Sequence, residues 1–238
     1  MAETEVTAIL PVFNDRAALE HAIPLSIEIL SRISDHFELI IAEDGSTDGS
    51  AEFVISCEQK DPRVHLIHSD ERLGRGRALN RAIHMAHGTI ICYYDVDLAT
   101  DMQHLPELVN AIRDGFDFAT GSRLLPSSDT MRTGGREIAS RTYNFLVRLI
   151  LGSSVHDHQC GFKAFSRQRA LAVIPAIRAG HWFWDTELLV RGQRQGFKVK
   201  EFPVRWRAGK GTTVKLKDVF GMGTSILRLW WQIHVPET

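Results

Sequence analysis

Asp95-Val96-Asp97 follows the apolar run Thr89-Ile90-Ile91-Cys92-Tyr93-Tyr94, so two carboxylates leave the end of a strand one residue apart. Burying both without partners is costly. A hard divalent cation arriving with phosphate oxygens would neutralise them, since magnesium typically takes one or two carboxylates plus substrate phosphates. The same pair also suits capping of the turn or helix that follows. Glu43-Asp44-Gly45-Ser46-Thr47-Asp48-Gly49 closes a second apolar run. Its glycines suit a tight turn that a ligand can approach closely. A carboxylate there can accept hydrogen bonds from a base or ribose, although bare turn chemistry uses the same residues. In Gly74-Arg75-Gly76-Arg77-Ala78-Leu79, Leu79 stands where a dinucleotide fingerprint needs its third glycine, which excludes a Rossmann oxidoreductase. What remains is a glycine-loosened helix start whose N–H groups and two arginines can receive phosphate, with Arg77 read as a solvated helix end. His156-Asp157-His158 lacks a convincingly spaced third ligand, so it reads as a polar loop and not as a zinc site.

These groups need a frame to hold them. Short β-branched runs alternate with helix-period segments, as expected of a mostly parallel sheet covered on both faces. Strands are expected at Val6 to Leu10, Phe37 to Ala42, Val64 to His68, Thr89 to Tyr94 and Phe116 to Thr120. Helices are expected near Ala17 to Ile33, Ser50 to Gln59, Gly76 to Ala86 and Leu105 to Asp114. In such a sheet the ligand sits beyond the carboxyl ends of the strands, which puts Asn14-Asp15 and both acidic loops on one rim. After about Gly121 the alternation stops. A Ser/Thr/Gly-rich loop from Ser127 to Gly135 leads to a helix from Glu137 to Leu151, a hairpin-like piece at Gly161 to Phe165 and a helix around Asp185 to Arg194. The reading is one domain over 1–238, with a ligand-binding half at 1–121 and an elaborated half at 122–238. A terminal stripe of Val219, Met222, Ile226, Leu229, Trp230 and Ile233 has helical spacing and reads as core packing. Its neighbours Lys215, Lys217 and Arg228, with the paired tryptophans, also permit an interfacial helix on anionic lipid.

With 238 residues and 44% hydrophobic composition the chain can bury a sizeable core. Lys plus Arg number 28 against 29 Asp plus Glu, so no global basic field exists to attract nucleic acid. Cys57, Cys92 and Cys160 are odd in number and widely spaced, which points to a reducing compartment. No signal-peptide order opens the chain, and nowhere do 18 apolar residues run unbroken. A cytoplasmic location is expected, with peripheral contact at the cytoplasmic face of a membrane.

The ordered motifs resemble the inverting GT-A glycosyltransferases, and among them the polyprenyl (dolichyl) phosphate sugar synthases, nearer the glucosyl than the mannosyl branch. Pro11-Val12-Phe13-Asn14-Asp15 looks like the opening nucleotide loop, Glu43 to Gly49 like the base and ribose loop, and Asp95-Val96-Asp97 like the metal motif. Gly121-Ser122-Arg123, Arg136 with Ser140, and Cys160-Gly161-Phe162-Lys163 look like acceptor-side motifs, and Trp184 to Leu188 like the helix bordering the reaction centre. The resemblance implies a Rossmann-like α/β GT-A fold and metal-dependent inverting transfer of a hexose. The donor would be UDP-glucose or GDP-mannose, the acceptor polyprenyl phosphate, and the metal Mg2+ or Mn2+.

By that resemblance Pro11, Phe13, Asp15, Asp44 and Asp95 hold the nucleotide sugar, and Asp95 and Asp97 hold the metal. Arg123, Arg136, Ser140 and Lys215 meet the acceptor phosphate, and Asp185 and Glu187 serve at the reaction centre. Ala99 stands where the mannosyl branch carries a glutamine, and Glu43 where aspartate is usual. Two other readings follow from these residues. A hydroxyl acceptor, soluble or on a glycan, would use Asp185 or Glu187 as base; a nucleotide-binding protein without catalysis is suggested by Ala99 and Glu43.

Overall fold

The structure is a computed structural model and describes residues 3–131, 134–207 and 216–235; at 134, 136, 216–220 and 222 only the backbone course is described. In chain order the first half runs β1 (Val6–Val12), α1 (Arg16–Ile33), β2 (Phe37–Glu43), α2 (Ser50–Glu58), β3 (Val64–Ile67), α3 (Arg75–Met85), β4 (Ile90–Tyr94), α4 (Leu105–Arg113) and β5 (Phe118–Ser122). The second half adds β6 (Asp129–Met131), α5 (Gly134–Leu151), β7 (Phe162–Ser166), α6 (Arg167–Val173), α7 (Trp184–Arg194), β8 (Val199–Pro203), β9 (Arg205–Arg207) and α8 (Leu216–His234).

Seven strands form one sheet in the order β3-β2-β1-β4-β7-β5-β8, and β6 pairs with β9 in a small second sheet. All seven residues of β1, and all seven of β2, are buried, because helices cover both faces and the strands can be apolar throughout. Val6 pairs with Phe37 on one side and Ile90 on the other, so β1 lies between the two strands whose loops carry the acidic motifs. Chain order reverses there, and such a reversal opens a crevice at the carboxyl ends.

The piece expected as a hairpin, Gly161 to Phe165, is instead an internal strand. β7 runs antiparallel between β4 and β5, with Tyr94 opposite Phe162 and Ala119 opposite Ala164. Its partners are distant in sequence, so no local turn signal announces it. The expected strand at Phe116 begins two residues later, because Gly115 turns at φ 90 and Phe116 N–H bonds Ala111 O. β5 crosses the expected boundary at Gly121, so the two halves share one sheet.

Two apolar cores cover the sheet faces. A third cluster joins Tyr143, Val147 and Leu151 of α5 with Phe183 and Val190, and with Ile226 and Leu229 of α8. The terminal stripe therefore packs inward at Ile226 and Leu229, whereas Trp230 is exposed, and the side chains of Val219 and Met222 lie outside the described residues.

Candidate active site

The loops after β1 and β2 are tied together at the crevice. Asn14, in the left-handed region at φ 50, accepts the Thr47 N–H at 2.7 Å while its own N–H donates to Ser46 Oγ at 2.9 Å. Leu98, just past the aspartate pair, shares the same φ of 50. Two non-glycine residues held in this costly region on facing loops are the pattern expected where backbone strain serves a site.

Most of the Glu43 to Gly49 loop is spent on building this rim. Asp44 is 3% exposed and accepts the Leu73 and Gly74 N–H groups at 2.9 and 2.8 Å. Glu43 is bonded by Ser46 N–H and His68, and Asp48 accepts the Ser50 N–H and hydroxyl just ahead of α2. The start of α3 is therefore already occupied: Asp44 takes the N–H groups ahead of it, and Gly76 N–H donates to Gly180 O. This corrects the expectation of open N–H groups for phosphate there. Arg77 is exposed, as expected.

Pro11 is buried in β1 opposite Ala42. Phe13 is half-buried at the mouth, and the Arg72 guanidinium lies 3.8 Å from its ring centroid, a cation–π contact. Asp15 caps α1 by accepting Ala18 N–H at 3.3 Å.

Asp95 leaves β4 with its N–H on Gly161 O, and a Cβ added to Gly161 would overlap the Asp95 carboxylate. Asp97 accepts Ala99 N–H at 3.0 Å. Burial, then repulsion by Asp95 and Asp15, raises the Asp97 pKa, so these three carboxylates share one field. Arg75 and Asp185 complete the centre. The Arg75 guanidinium donates from Nη2 to Asp95 and from Nη1 to Asp185, each at 2.7 Å, and lies between the rings of Tyr93 and Trp182 at 5.2 and 5.6 Å. Asp185 also accepts the Tyr93 hydroxyl and lies 3.3 Å from Lys163 Nζ. Burial pushes the Asp185 carboxyl up to about 6 against the pull of Arg75, and pushes the fully buried Lys163 down to about 8.

Asp95, Asp97 and Asp185 thus gather around Arg75, with Lys163 against Asp185 and Asp15 in the field of Asp97, so carboxylates outnumber the two buried cations. Among the described residues no three potential ligands converge, and Asp95 and Asp97 are the pair that could hold a cation together with a ligand's oxygens. This donor set fits Mg2+ or Mn2+ held jointly with phosphate.

Other expected site residues lie elsewhere. Glu187 follows Asp185 by two helix positions and points the other way, accepting Arg178 and Ala179 N–H and pairing with Arg191 at 2.8 Å. It braces the loop before α7, which removes it from the reaction centre. The Arg123 fork is occupied: Nε and Nη2 grip the fully buried Asp157 at 2.7 and 2.8 Å. The His156 to His158 segment is a loop, as expected, but one in which Asp157 and His158 are buried and act as a brace while His156 stays partly exposed. His158 bonds Asn144 of α5 and Ser153 at 2.7 Å each, and burial pushes its pKa down to about 3. Asp157 and His158 together hold Arg123 next to α5, where Ser140 is half-buried with its carbonyl bonded by Asn144. The Arg136 side chain and Lys215 lie outside the described residues.

The sequence assigns Tyr93 and Trp182 no role at the site, points to Lys163 only as the end of an acceptor-side motif and to Arg75 only as a phosphate-binding arginine. Alternation along β4 could have placed Tyr93 at the rim; nothing in the sequence marks Trp182.

The mostly parallel seven-stranded sheet, with its order reversed between β1 and β4 and the two-aspartate loop after β4, has the GT-A architecture. Glycosyl transferase family 2 matches residues 7–171, and the chain belongs to that family of glycosyltransferases. Glycosyltransferase AglD of Haloferax volcanii is 48% identical over 238 residues, covering 98% of this chain; the chain spans 38% of that protein's length. Dolichyl-phosphate beta-glucosyltransferase ALG5C of Trichomonas vaginalis is 26% identical over 96% of this chain and 71% of its own. Polyprenol monophosphomannose synthase of Mycolicibacterium smegmatis is 27% identical over 82% of this chain and 75% of its own. In fold, the chain is similar to glucosyl-3-phosphoglycerate synthase from Mycobacterium tuberculosis in complex with UDP, with TM-score 0.72, 21% identity, and 99% and 82% of the two chains covered.

Proposed function

We propose that this chain catalyses metal-dependent, inverting transfer of a hexose from a nucleotide diphosphate sugar, UDP-glucose or GDP-mannose, to polyprenyl or dolichyl phosphate. The observation that carries the reading is the negative excess at the crevice, centred on Asp95 and Asp97, which a diphosphate-borne divalent cation would balance. Relatives named for dolichyl-phosphate and polyprenol substrates support the acceptor.

Asp95 and Asp97 would hold Mg2+ or Mn2+, which stabilises negative charge on the departing diphosphate. Phe13 and the Asn14–Thr47 lock border the nucleoside, with Pro11 and Asp44 beneath them as structural support. Asp15 adds to the acidic field and fixes the start of α1. A phosphate acceptor is already ionised near neutral pH, so the protein's task is to position it and stabilise charge. Arg136, Ser140 and Lys215 are the proposed contacts to that phosphate, with Arg123 held beside Ser140's helix by Asp157 and His158. Asp185 orients Arg75 and the sugar.

A polyprenyl acceptor calls for a membrane surface nearby. No described helix is long and apolar enough to cross a membrane. Seven of the exposed large apolar side chains lie on α5 and α8, which pack together: Ile138, Phe145, Leu146 and Leu149 with Leu227, Trp230 and Trp231. Exposed Arg141, Arg148 and Arg228 stand among them. An apolar face with tryptophans and flanking arginines suits the interface of an anionic bilayer, and we place this face on the membrane.

One observation favours a second reading, transfer to a hydroxyl. A carboxyl near 6 suits a general base, and Asp185 is such a group. A matrix of UDP-glucose and GDP-mannose against polyprenyl phosphate in detergent and soluble hydroxyl acceptors decides between them. Product on the lipid phosphate supports the first reading, and product only on hydroxyls replaces it with the second.

A further inference from the structure

Arg75 is 13% exposed, carries two ion pairs, and lies between two aromatic rings. Such a guanidinium is built in place; a solvated arginine at a helix start would keep its rotamers free. Its two carboxylates come from separate elements, Asp95 at the end of β4 and Asp185 in the first turn of α7. They also differ in setting. Asp185 is 2% exposed and held by Tyr93 and Lys163 besides Arg75. Asp95 is 42% exposed at its side chain and opens on the crevice. The Nη1 end is therefore anchored, and the Nη2 end is bonded to the one partner that a ligand can reach.

We infer that Arg75 is a donor-phosphate arginine: its Nη2 occupies Asp95 in the empty site and transfers to a diphosphate oxygen when the nucleotide-borne cation claims that carboxylate. The inference rests on the reading of Asp95 and Asp97 as the metal pair. Anchored on Asp185 and confined by Tyr93 and Trp182, the guanidinium needs only a local adjustment. It stays beside Asp95, where the metal brings the phosphates. Phosphate then receives a charge-assisted N–H bond that exists only in the loaded site, and this contact strengthens as charge develops on the leaving group.

The consequence is a pair of effects of opposite sign. Arg75 competes with free Mn2+ for Asp95 and cooperates with Mn2+ in holding the nucleotide. Arg75→Gln should therefore bind Mn2+ alone more tightly than wild type, by roughly tenfold, as expected from removing one charged hydrogen bond. The same variant should bind the nucleotide in the presence of Mn2+ more weakly by a similar factor. Mn2+ is titrated by electron paramagnetic resonance, and UDP and GDP by calorimetry at saturating Mn2+. Arg75→Lys, which keeps the charge but not the fork, should fall between the two on both axes, and it carries the test if the glutamine variant does not fold.

Any result other than opposed shifts overturns the inference, including equal weakening of both ligands, the mark of a purely structural residue. Asp97→Ala separates this failure from that of the underlying reading. If Asp97→Ala binds Mn2+ with nucleotide as wild type does, or if wild type binds neither nucleotide, the metal assignment itself is wrong and the inference falls with it.

Discussion

Asp97 is the residue on which the proposed chemistry turns. Its raised pKa records a carboxylate repelled by Asp95 and Asp15 in a partly desolvated place, which is the field a cation relieves. Asp97→Ala should lower metal-dependent transfer at least roughly a hundredfold, the usual scale for losing one preorganised electrostatic group, with little change in Tm. Full activity of that variant in chelator-treated buffer would end the assignment. Gly161 offers a subtler test. A methyl there meets the Asp95 carboxylate, so Gly161→Ala should turn Asp95 off Arg75 and weaken Mn2+-dependent nucleotide binding more than it lowers Tm. Binding unchanged from wild type would mean that the carboxylate has room to spare. The Asp95 and Asp97 pair was legible in the sequence because it sits flush at the end of a strand apolar from Ile90 to Tyr94. Arg75 was only half legible. A Gly-Arg-Gly-Arg segment advertises phosphate, but what fixes Arg75 is a carboxylate 110 residues away.

Among the elements, α7 and the brace beneath α5 show how helical geometry sorts residues that look alike in sequence. The resemblance points to Asp185 and Glu187 alike as reaction-centre carboxylates, yet two positions on a helix face nearly opposite ways. Glu187→Gln should lower Tm by disturbing the Arg178–Ala179 turn and the Arg191 pair, while kcat falls much less than in Asp185→Asn. A kcat loss matching that of Asp185→Asn would return Glu187 to the site. The brace makes a prediction about pH. His158 is held neutral, its pKa depressed from 6.5 to about 3. The unfolded chain therefore takes up a proton that the folded chain refuses, so the stability contributed is present above pH 6.5 and lost as pH falls toward 3. The loss should be on the order of 2 kcal/mol at pH 4.5. Melting curves between pH 7 and 4.5 should fall more steeply for wild type than for His158→Gln, and parallel curves would refute the neutral-histidine account. Strand β7 was the element least open to sequence reading. Its side chains alternate no differently from a hairpin arm, and only partners far along the chain place it inside the sheet.

For the whole molecule, the nearly balanced charge and the exposed α5–α8 face lead to one experiment. Trp231→Ala combined with Phe145→Ala should reduce cosedimentation with vesicles containing anionic lipid severalfold, leaving nucleotide binding intact, because neither side chain approaches the crevice carboxylates. Unchanged sedimentation would take the membrane off this face. The α/β class, the first five strands along the chain and the shared rim were legible because runs such as Val6 to Val12 are buried on both sides and read as continuous apolar stretches. The half after Gly121 was less so, since Arg123 and Asp157 acquire meaning only through contacts across the fold.

The antiparallel insertion of β7 also constrains how the protein can be made. β4 and β5 are both synthesised before β7, and each must wait with a bare inner edge until residue 166 has left the ribosome. During that interval a nascent chain ending near residue 121 carries an unfilled slot between two sticky strands, a state prone to wrong partners. Translation and folding of this chain are therefore out of step by some forty residues. Ribosome-stalled chains should accordingly become protease-resistant only after α6 emerges.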